Sequence, residues 1–265
     1  MKLLVSALLI LVFVVPFYWM IVTSIKSLGE VLQFPPALWP KIPQWQNFQR
    51  AVTAIPFVKY TINSIIVTIG ILACQILTVI PAAYAFARYD FRGRKLFFGL
   101  TMATMMIPGQ LVFLPIFLLF SKWGIVNTYW TLILPFASSA FGIFMLRQSF
   151  MQIPEEIIEA ARMDKAGELQ IIFKIMMPIA RPAVTTLALF TFISAWNDYF
   201  WPLVMTTTDA VRTLPLGIVA LQTVDSGITS HLVMAGNVLM ILPIAVAFVL
   251  AQKQIIRAFT YTGEK

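Results

Sequence analysis

Residues 60–87 read YTINSIIVTIGILACQILTVIPAAYAFA and contain no charged side chain. A helix needs about 20 mostly apolar residues to cross the hydrocarbon core of a bilayer, so this stretch predicts a transmembrane helix. In the whole chain, 60% of the residues are hydrophobic and 11% are charged, whereas soluble domains contain about 25% charged residues. This composition excludes an ordinary soluble protein and favours an all-α membrane protein.

Five more runs with few or no charged residues bring the expected number of transmembrane helices to six. They cover residues 1–25, 96–121, 123–146, 182–205 and 232–252. The first run is too long for the core of a secretory signal, which has about 7–15 apolar residues, so we expect it to be a membrane anchor. The six spans predict one transmembrane domain over residues 1–265, with its core at 60–256 and one long polar loop at 147–182.

The basic residues predict the orientation of these helices. Six spans place both termini on one side of the membrane, where 13 of the 19 Lys and Arg residues then lie. The other side has six: Lys26, Lys41, Arg50, Lys59, Lys122 and Arg212. Because cytoplasmic loops carry an excess of Lys and Arg, we expect both termini and the loop at 147–182 to be cytoplasmic. The net charge of +8 is then a consequence of topology and not a sign of nucleic-acid binding.

The predicted external loop at residues 26–59 is rich in proline and aromatic residues, including Trp39, Trp45 and Phe48. Aromatic side chains commonly anchor such loops at the interface between membrane and water. The loop could instead cover the protein laterally or form a docking surface for an extracytoplasmic partner. The sequence leaves both interpretations open.

The cytoplasmic loop contains the stretch IPEEIIEAARMDKAGE, residues 153–168. Pro154 suits the start of a helix, and Glu155 and Glu156 suit its positive end. The helix is expected to break at residues 165–167, and a second helical pattern follows at 168–176. A short helix with small side chains on one face can insert into a cleft of another protein. The alternative is an interfacial amphipathic helix, but four acidic residues are a poor composition for anionic lipid, so we favour docking.

The same stretch resembles the "EAA" signature of the permease subunits of binding-protein-dependent ABC importers, E-A-A-x3-G-x9-I-x-L-P. Glu159, Ala160 and Ala161 match its start, and Ile175 and Pro178 match its end. Lys165 stands where the family has glycine, and Met177 replaces leucine. Gly167, two places later, could supply the bend of the turn instead.

The resemblance extends from about residue 16 to 259 and points to the carbohydrate branch, similar to the second permease of maltose-type and glycerol-phosphate-type importers. It rests on further motifs: NSIIV at 63–67, AAYAFAR at 82–88, PGQ at 108–110 and WNDYFWP at 196–202. It implies a prokaryotic inner-membrane protein that pairs with a second permease, two ATPase subunits and an extracytoplasmic solute-binding protein. ATP and Mg²⁺ would bind on the ATPase subunits, and the permease itself would need no cofactor.

This resemblance also implies which residues couple the permease to the ATPase. The helix containing Glu159 would sit in a groove of the ATPase and form a cytoplasmic coupling helix between the fourth and fifth spans. The expected coupling residues are Glu159, Ala160, Ala161, Asp164 and Gly167.

A solute path is expected near Asp198, the one carboxylate inside a predicted span. Ionisable residues inside a membrane usually face a cavity or a partner. Trp196, Asn197 and Tyr199 add aromatic and amide groups suited to a sugar, although a gate or a hydrogen-bond network between helices would use the same residues. Gln110 follows Pro108 and Gly109, which form either a packing kink or a broken helix lining the path.

The sequence contains no catalytic constellation of its own. It has no G-x-x-x-x-G-K-[ST] loop to hold ATP phosphates, its single cysteine is Cys74, and its single histidine is His231. Neither a metal site nor a membrane enzyme is therefore expected. A secondary transporter driven by an ion gradient remains the alternative, with Asp198 as its only support.

Overall fold

A computed structural model describes residues 2–222 and 229–260. Lys265, one of the 13 basic residues used to predict the orientation of the helices in the membrane, lies outside the described residues. Helices form every regular element of the described chain, as expected for the all-α class. The N-terminal elements are α1 (Lys2–Ser24), α2 (Leu28–Leu32), α3 (Gln46–Ala54), α4 (Phe57–Arg88), α5 (Arg94–Thr104) and α6 (Gly109–Lys122).

The remaining elements begin with α7 (Tyr129–Ile133), which continues into a 3-10 turn at Leu134–Phe136, and α8 (Ala140–Met151). The long polar loop contains α9 (Glu155–Met163), α10 (Glu168–Gln170), a π-helix at Ile171–Met176 and α11 (Met177–Ile179). After it come α12 (Arg181–Trp196), α13 (Phe200–Met205), α14 (Leu214–Ala220) and α15 (Ser230–Thr260).

The described residues form two compact units. The first contains residues from 1–64 and 211–246, and the second contains residues from 65–210 and 247–265. In the first unit, α14 packs tightly on the start of α4: a Cβ added to Gly217 would lie 2.2 Å from Cδ2 of Tyr60. Polar contacts hold the same junction, since Asn63 donates to the carbonyl of Arg212 at 2.8 Å and Ser64 accepts from the amide of Leu214 at 2.9 Å.

Among the described residues, two apolar clusters lie in the second unit. One lies between α4, α8, α9 and the helices of residues 168–187, and includes Tyr84, Phe150 and Ile158. The other joins α4, α6, α7 and α13 through residues such as Phe120 and Trp201. Gly142 lets α8 approach its neighbours, because a Cβ there would lie 2.9 Å from Leu187 and 3.0 Å from Val79.

Two helices in the described chain are long and apolar enough to cross a membrane, at Phe57–Arg88 and Ser230–Gln254. Three bent pairs could each form one further span: α5 with α6 (97°), α7 and its 3-10 turn with α8 (44°), and the segment Glu168–Ile179 with α12 (88°). A shorter apolar helix covers Leu8–Ser24. Length and composition thus allow two to five spans, so the expected number of six is not established by them.

The structure decides between the two interpretations of Pro108. The helix expected over residues 96–121 is interrupted between Thr104 and Gly109, and the 97° bend is a break and not a packing kink. Pro108 is extended (ψ 129°) and directly precedes α6. The helix expected over 182–205 is likewise interrupted, between α12 and α13.

Candidate functional site

The long polar loop begins where the end of α8 is capped by α4. Arg88, the last residue of α4, donates from its guanidinium group to the carbonyls of Phe150 and Ile153. Pro154 then has an extended backbone with ψ of 142°, and α9 begins at the next residue. Glu155 and Glu156 occupy its first turn, where the exposed N–H groups favour negative charge.

Helix α9 has one buried face and one exposed face. Ile158 and Ala161 are buried in the apolar cluster with Tyr84 and Phe150. Four of the five expected coupling residues are exposed: Glu159, Ala160, Asp164 and Gly167. Ala161 faces inward, so its small side chain serves packing against the protein itself. Met163 adds an apolar side chain that is 80% exposed.

The turn after α9 bends at Lys165 and not at Gly167. Lys165 has a φ of 58°, whereas Gly167 is extended, with φ −69° and ψ 157°. The amide of Lys165 donates to the carbonyl of Arg162, and the amide of Ala166 donates to that of Ala161, both at 3.0 Å. This pair of bonds is the Schellman motif, which places a left-handed residue, usually glycine, directly after the helix.

Glu168 connects the loop to α4 and to the segment that follows it. One of its carboxylate oxygens accepts from the hydroxyl of Tyr84 at 3.0 Å, and the other accepts from Arg162 at 3.2 Å. A hydrogen bond from Tyr89 has the largest effect on the pKa of Glu168 and lowers it. Burial opposes this shift, and the Tyr84 bond and the Arg162 charge support it. This cluster was not predicted from the sequence. The sequence contains only one sign of it, which is that Tyr84 and Glu168 fall inside two of the quoted motifs.

The helical pattern expected at residues 168–176 forms a wider helix than predicted. A single α-helical turn, α10, leads into the π-helix that contains Ile175 of the signature. Pro178, the last residue of the signature, lies in α11 and has no N–H to complete an α-helical bond with the carbonyl of Lys174. π-helical turns occur often at functional sites, and here the turn buries Ile171, Ile172 and Met176.

The residues expected along a solute path lie at two helix breaks. Gln110 is exposed in the first turn of α6. Between α12 and α13, Asn197 is exposed and donates back to the carbonyl of Ile193 at 2.8 Å. Asp198 accepts from the backbone amide of Trp201 at 3.3 Å, so it caps the first turn of α13.

The two aromatic neighbours of Asp198 differ. Trp196 is buried and stacks on Phe192, with ring centroids 5.7 Å apart, while Tyr199 is 37% exposed. A contact between α6 and α13 brings the two breaks together: the rings of Phe113 and Phe200 meet edge to face at 5.6 Å. Gln110 lies one helical turn before Phe113, on the same face of α6. In the described residues, no group of His, Cys, Asp and Glu side chains is arranged to hold a metal.

Comparison with known proteins supports the resemblance found in the sequence. The sequence profile of the family described as "Binding-protein-dependent transport system inner membrane component" matches residues 75–261. The arabinooligosaccharides transport system permease protein of Halalkalibacterium halodurans is 36% identical over 77% of this chain and 72% of its own length. The sn-glycerol-3-phosphate transport system permease protein of Yersinia pestis bv. Antiqua is 31% identical over 94% of this chain and 91% of its own length.

The fold agrees with a solved structure of the same kind. A chain of a bacterial ABC transporter that imports the acidic polysaccharide alginate has a TM-score of 0.82, with 26% sequence identity and 95% of both chains covered. These similarities confirm the predicted family, in which the ATPase is a separate subunit, and none of them supports an ion-driven secondary transporter. The chain therefore belongs to the family of binding-protein-dependent transport system inner membrane components, the permease subunits of ABC importers.

Proposed function

We propose that this chain forms half of the translocation path of a sugar importer and docks on its ATPase through α9. The observation that carries the docking role is the exposed face of α9. It combines acidic Glu159 and Asp164 with the small Ala160 and the protruding Met163. A thin helix with this face fits a groove with basic and apolar walls.

In this proposal the chain crosses the membrane six times, with both termini and the loop at 147–182 in the cytoplasm. The broken pairs α5–α6 and α7–α8, the segment from α12 to α13 and the 23-residue helix α1 supply the spans beyond α4 and α15. At 1.5 Å per residue α1 is about 34 Å long, which is enough for a hydrocarbon core of about 30 Å. The partners are a second permease, a pair of ATPase subunits that bind ATP and Mg²⁺, and an extracytoplasmic solute-binding protein.

The proposed solute path runs past the adjacent breaks before α6 and α13. Binding sites of membrane transporters often lie where helices are discontinuous, and this pair of breaks presents Gln110, Asn197 and Tyr199 as exposed polar groups. We assign Asp198 and Trp196 to the support of the path, since one caps α13 and the other is buried. The names of the relatives favour a sugar or a sugar derivative as the solute.

Co-purification with the ATPase tests the docking role. We expect Glu159→Ala to weaken recovery of the ATPase in mild detergent and to lower solute-stimulated ATP hydrolysis, while the protein still inserts in the membrane. Asp90→Ala is a matched control, because Asp90 is an exposed acid in the loop between α4 and α5, outside the 147–182 loop. Undiminished recovery and hydrolysis in the Glu159 variant would contradict the proposal.

A further inference from the structure

The loop between α2 and α3 folds back along the end of α1. The hydroxyl of Tyr18 donates to the carbonyl of Leu38 at 2.7 Å. Tyr18 lies six residues before the end of α1 at Ser24, which is about 9 Å along the helix axis. Side chains of a helix lean towards its N-terminus, so the carbonyl of Leu38 lies beside the apolar part of α1 and not beyond its end.

The tip of this loop, residues 34–39, exposes apolar side chains. Phe34 is 92% exposed and Leu38 is 70% exposed, and Trp39 beside them is also exposed. The charged Glu30 lies at the base, where its carboxylate accepts from the amides of Lys41 and Ser27 at 2.7 Å and 3.0 Å. The loop is therefore amphipathic along the direction of α1.

Side chains of the protein satisfy two backbone carbonyls of the tip. Lys26, which is only 1% exposed, donates to the carbonyl of Ala37 at 2.6 Å, next to the Leu38 carbonyl that Tyr18 satisfies. Pro35, Pro36 and Pro40 have no N–H that would need a partner. Irregular backbone exposed to lipid does not occur in the hydrocarbon core, so the backbone of the tip would lie at the interface between headgroups and acyl chains.

We infer that residues 34–39 lie at the interface of the outer leaflet beside α1, with their apolar side chains in the lipid, and fix the depth of this helix in the bilayer. Exposed apolar patches mark membrane or protein contacts. Three features favour lipid here: the return to the depth of Tyr18, the two carbonyls bound by Tyr18 and Lys26, and the continuity with the apolar α1. This inference rests on the proposed topology, in which the C-terminal end of α1 faces outward.

Spin labels in the reconstituted transporter test this inference. Cys74 is the only cysteine, so Cys74→Ser gives a background for Phe34→Cys, Leu38→Cys and the control Gln49→Cys, whose side chain is exposed on α3. We expect labels at 34 and 38 to relax more with oxygen, which concentrates in lipid, than with a water-soluble nickel chelate. The label at 49 should show the opposite order.

Two results would overturn lipid insertion. Greater access of the nickel chelate at 34 and 38 would place the tip in water, and shielding from both reagents would place it against another protein. The measurement needs neither ATP hydrolysis nor transport. Aqueous labels in a complex that retains its ATPase would therefore refute the insertion alone, whereas loss of the ATPase with lipid-exposed labels would refute only the docking.

Discussion

Lys165 holds a left-handed backbone, with a φ of 58°, at the position where the family signature has glycine. A side chain in this conformation costs roughly 1–2 kcal/mol, and glycine avoids most of that cost. We therefore expect Lys165→Gly to raise the thermal unfolding midpoint of the detergent-solubilised protein. Lys165→Ala is the control, because it removes the same charge and keeps the Cβ. An equal gain in both variants would assign the effect to charge and not to the backbone.

The Glu168 cluster predicts a pH dependence. The pKa of Glu168 is lower in the folded protein than its ordinary value, chiefly because of the hydrogen bond from Tyr89. A lowered pKa contributes stability above the unfolded-state pKa of about 4.3, and this stability is lost as the pH falls through the folded-state value. The difference in unfolding midpoint between wild type and Glu168→Gln should therefore shrink below about pH 4. A difference that stays constant down to pH 3 would exclude this linkage.

Some of these residues could be found from sequence and others could not. Glu159 and Ala160 could be proposed as coupling residues because the signature has a fixed spacing along one short segment. The bond between Tyr84 and Glu168 joins residues 84 positions apart, and no spacing rule connects them. The inward direction of Ala161 follows from the packing of α9 on Phe150, which the sequence does not reveal.

Asp198 has two candidate roles, which are to stabilise the start of α13 and to act on the solute through its negative charge. The carboxylate accepts from the amide of Trp201, and replacing such a capping residue with alanine costs about 1 kcal/mol. We expect Asp198→Asn, which keeps an oxygen acceptor, to retain solute uptake, and Asp198→Ala to lower it together with thermal stability. A severe loss of uptake in the Asn variant at normal stability would show that the negative charge itself acts on the solute.

At the scale of helices, the sequence predicted α1, α4 and α15 well, because each is a long uninterrupted apolar run. The breaks were harder to predict. Pro108 signalled the one before α6, yet a proline in a membrane helix can also produce a mild kink, so the 97° bend required the structure. The interruption between α12 and α13 depends on the backbone bonds of Asn197 and Asp198, which leave no trace in the hydropathy of residues 182–205.

The six-span topology is testable on the whole chain. In the Cys74→Ser background, a single cysteine at Gln49 should react with a membrane-impermeant maleimide added to intact cells. A cysteine at Arg92, in the exposed loop between α4 and α5, should react only after the membrane is permeabilised. Labelling of both positions in intact cells would rule out the six-span topology, and the reverse order would rule out cytoplasmic termini.

For the whole molecule, the sequence predicted the class and the family, because the apolar composition and the quoted motifs extend over most of the chain. It did not show that the described residues form two compact units, since α4 and α15 each contribute to both. A hydropathy profile shows such a helix as one continuous apolar run. It does not show that the two halves of the helix pack on different neighbours.

The attachments of α9 have a mechanical consequence. The segment before it is held by Arg88, and the segment after it is held through Glu168 by Tyr84. Arg88 and Tyr84 lie one turn apart at the end of α4, so the segments on both sides of α9 are attached to the same helix. A force applied to the middle of α9 is therefore expected to reach the last turn of α4 directly, because neither end of α9 is free to bend away.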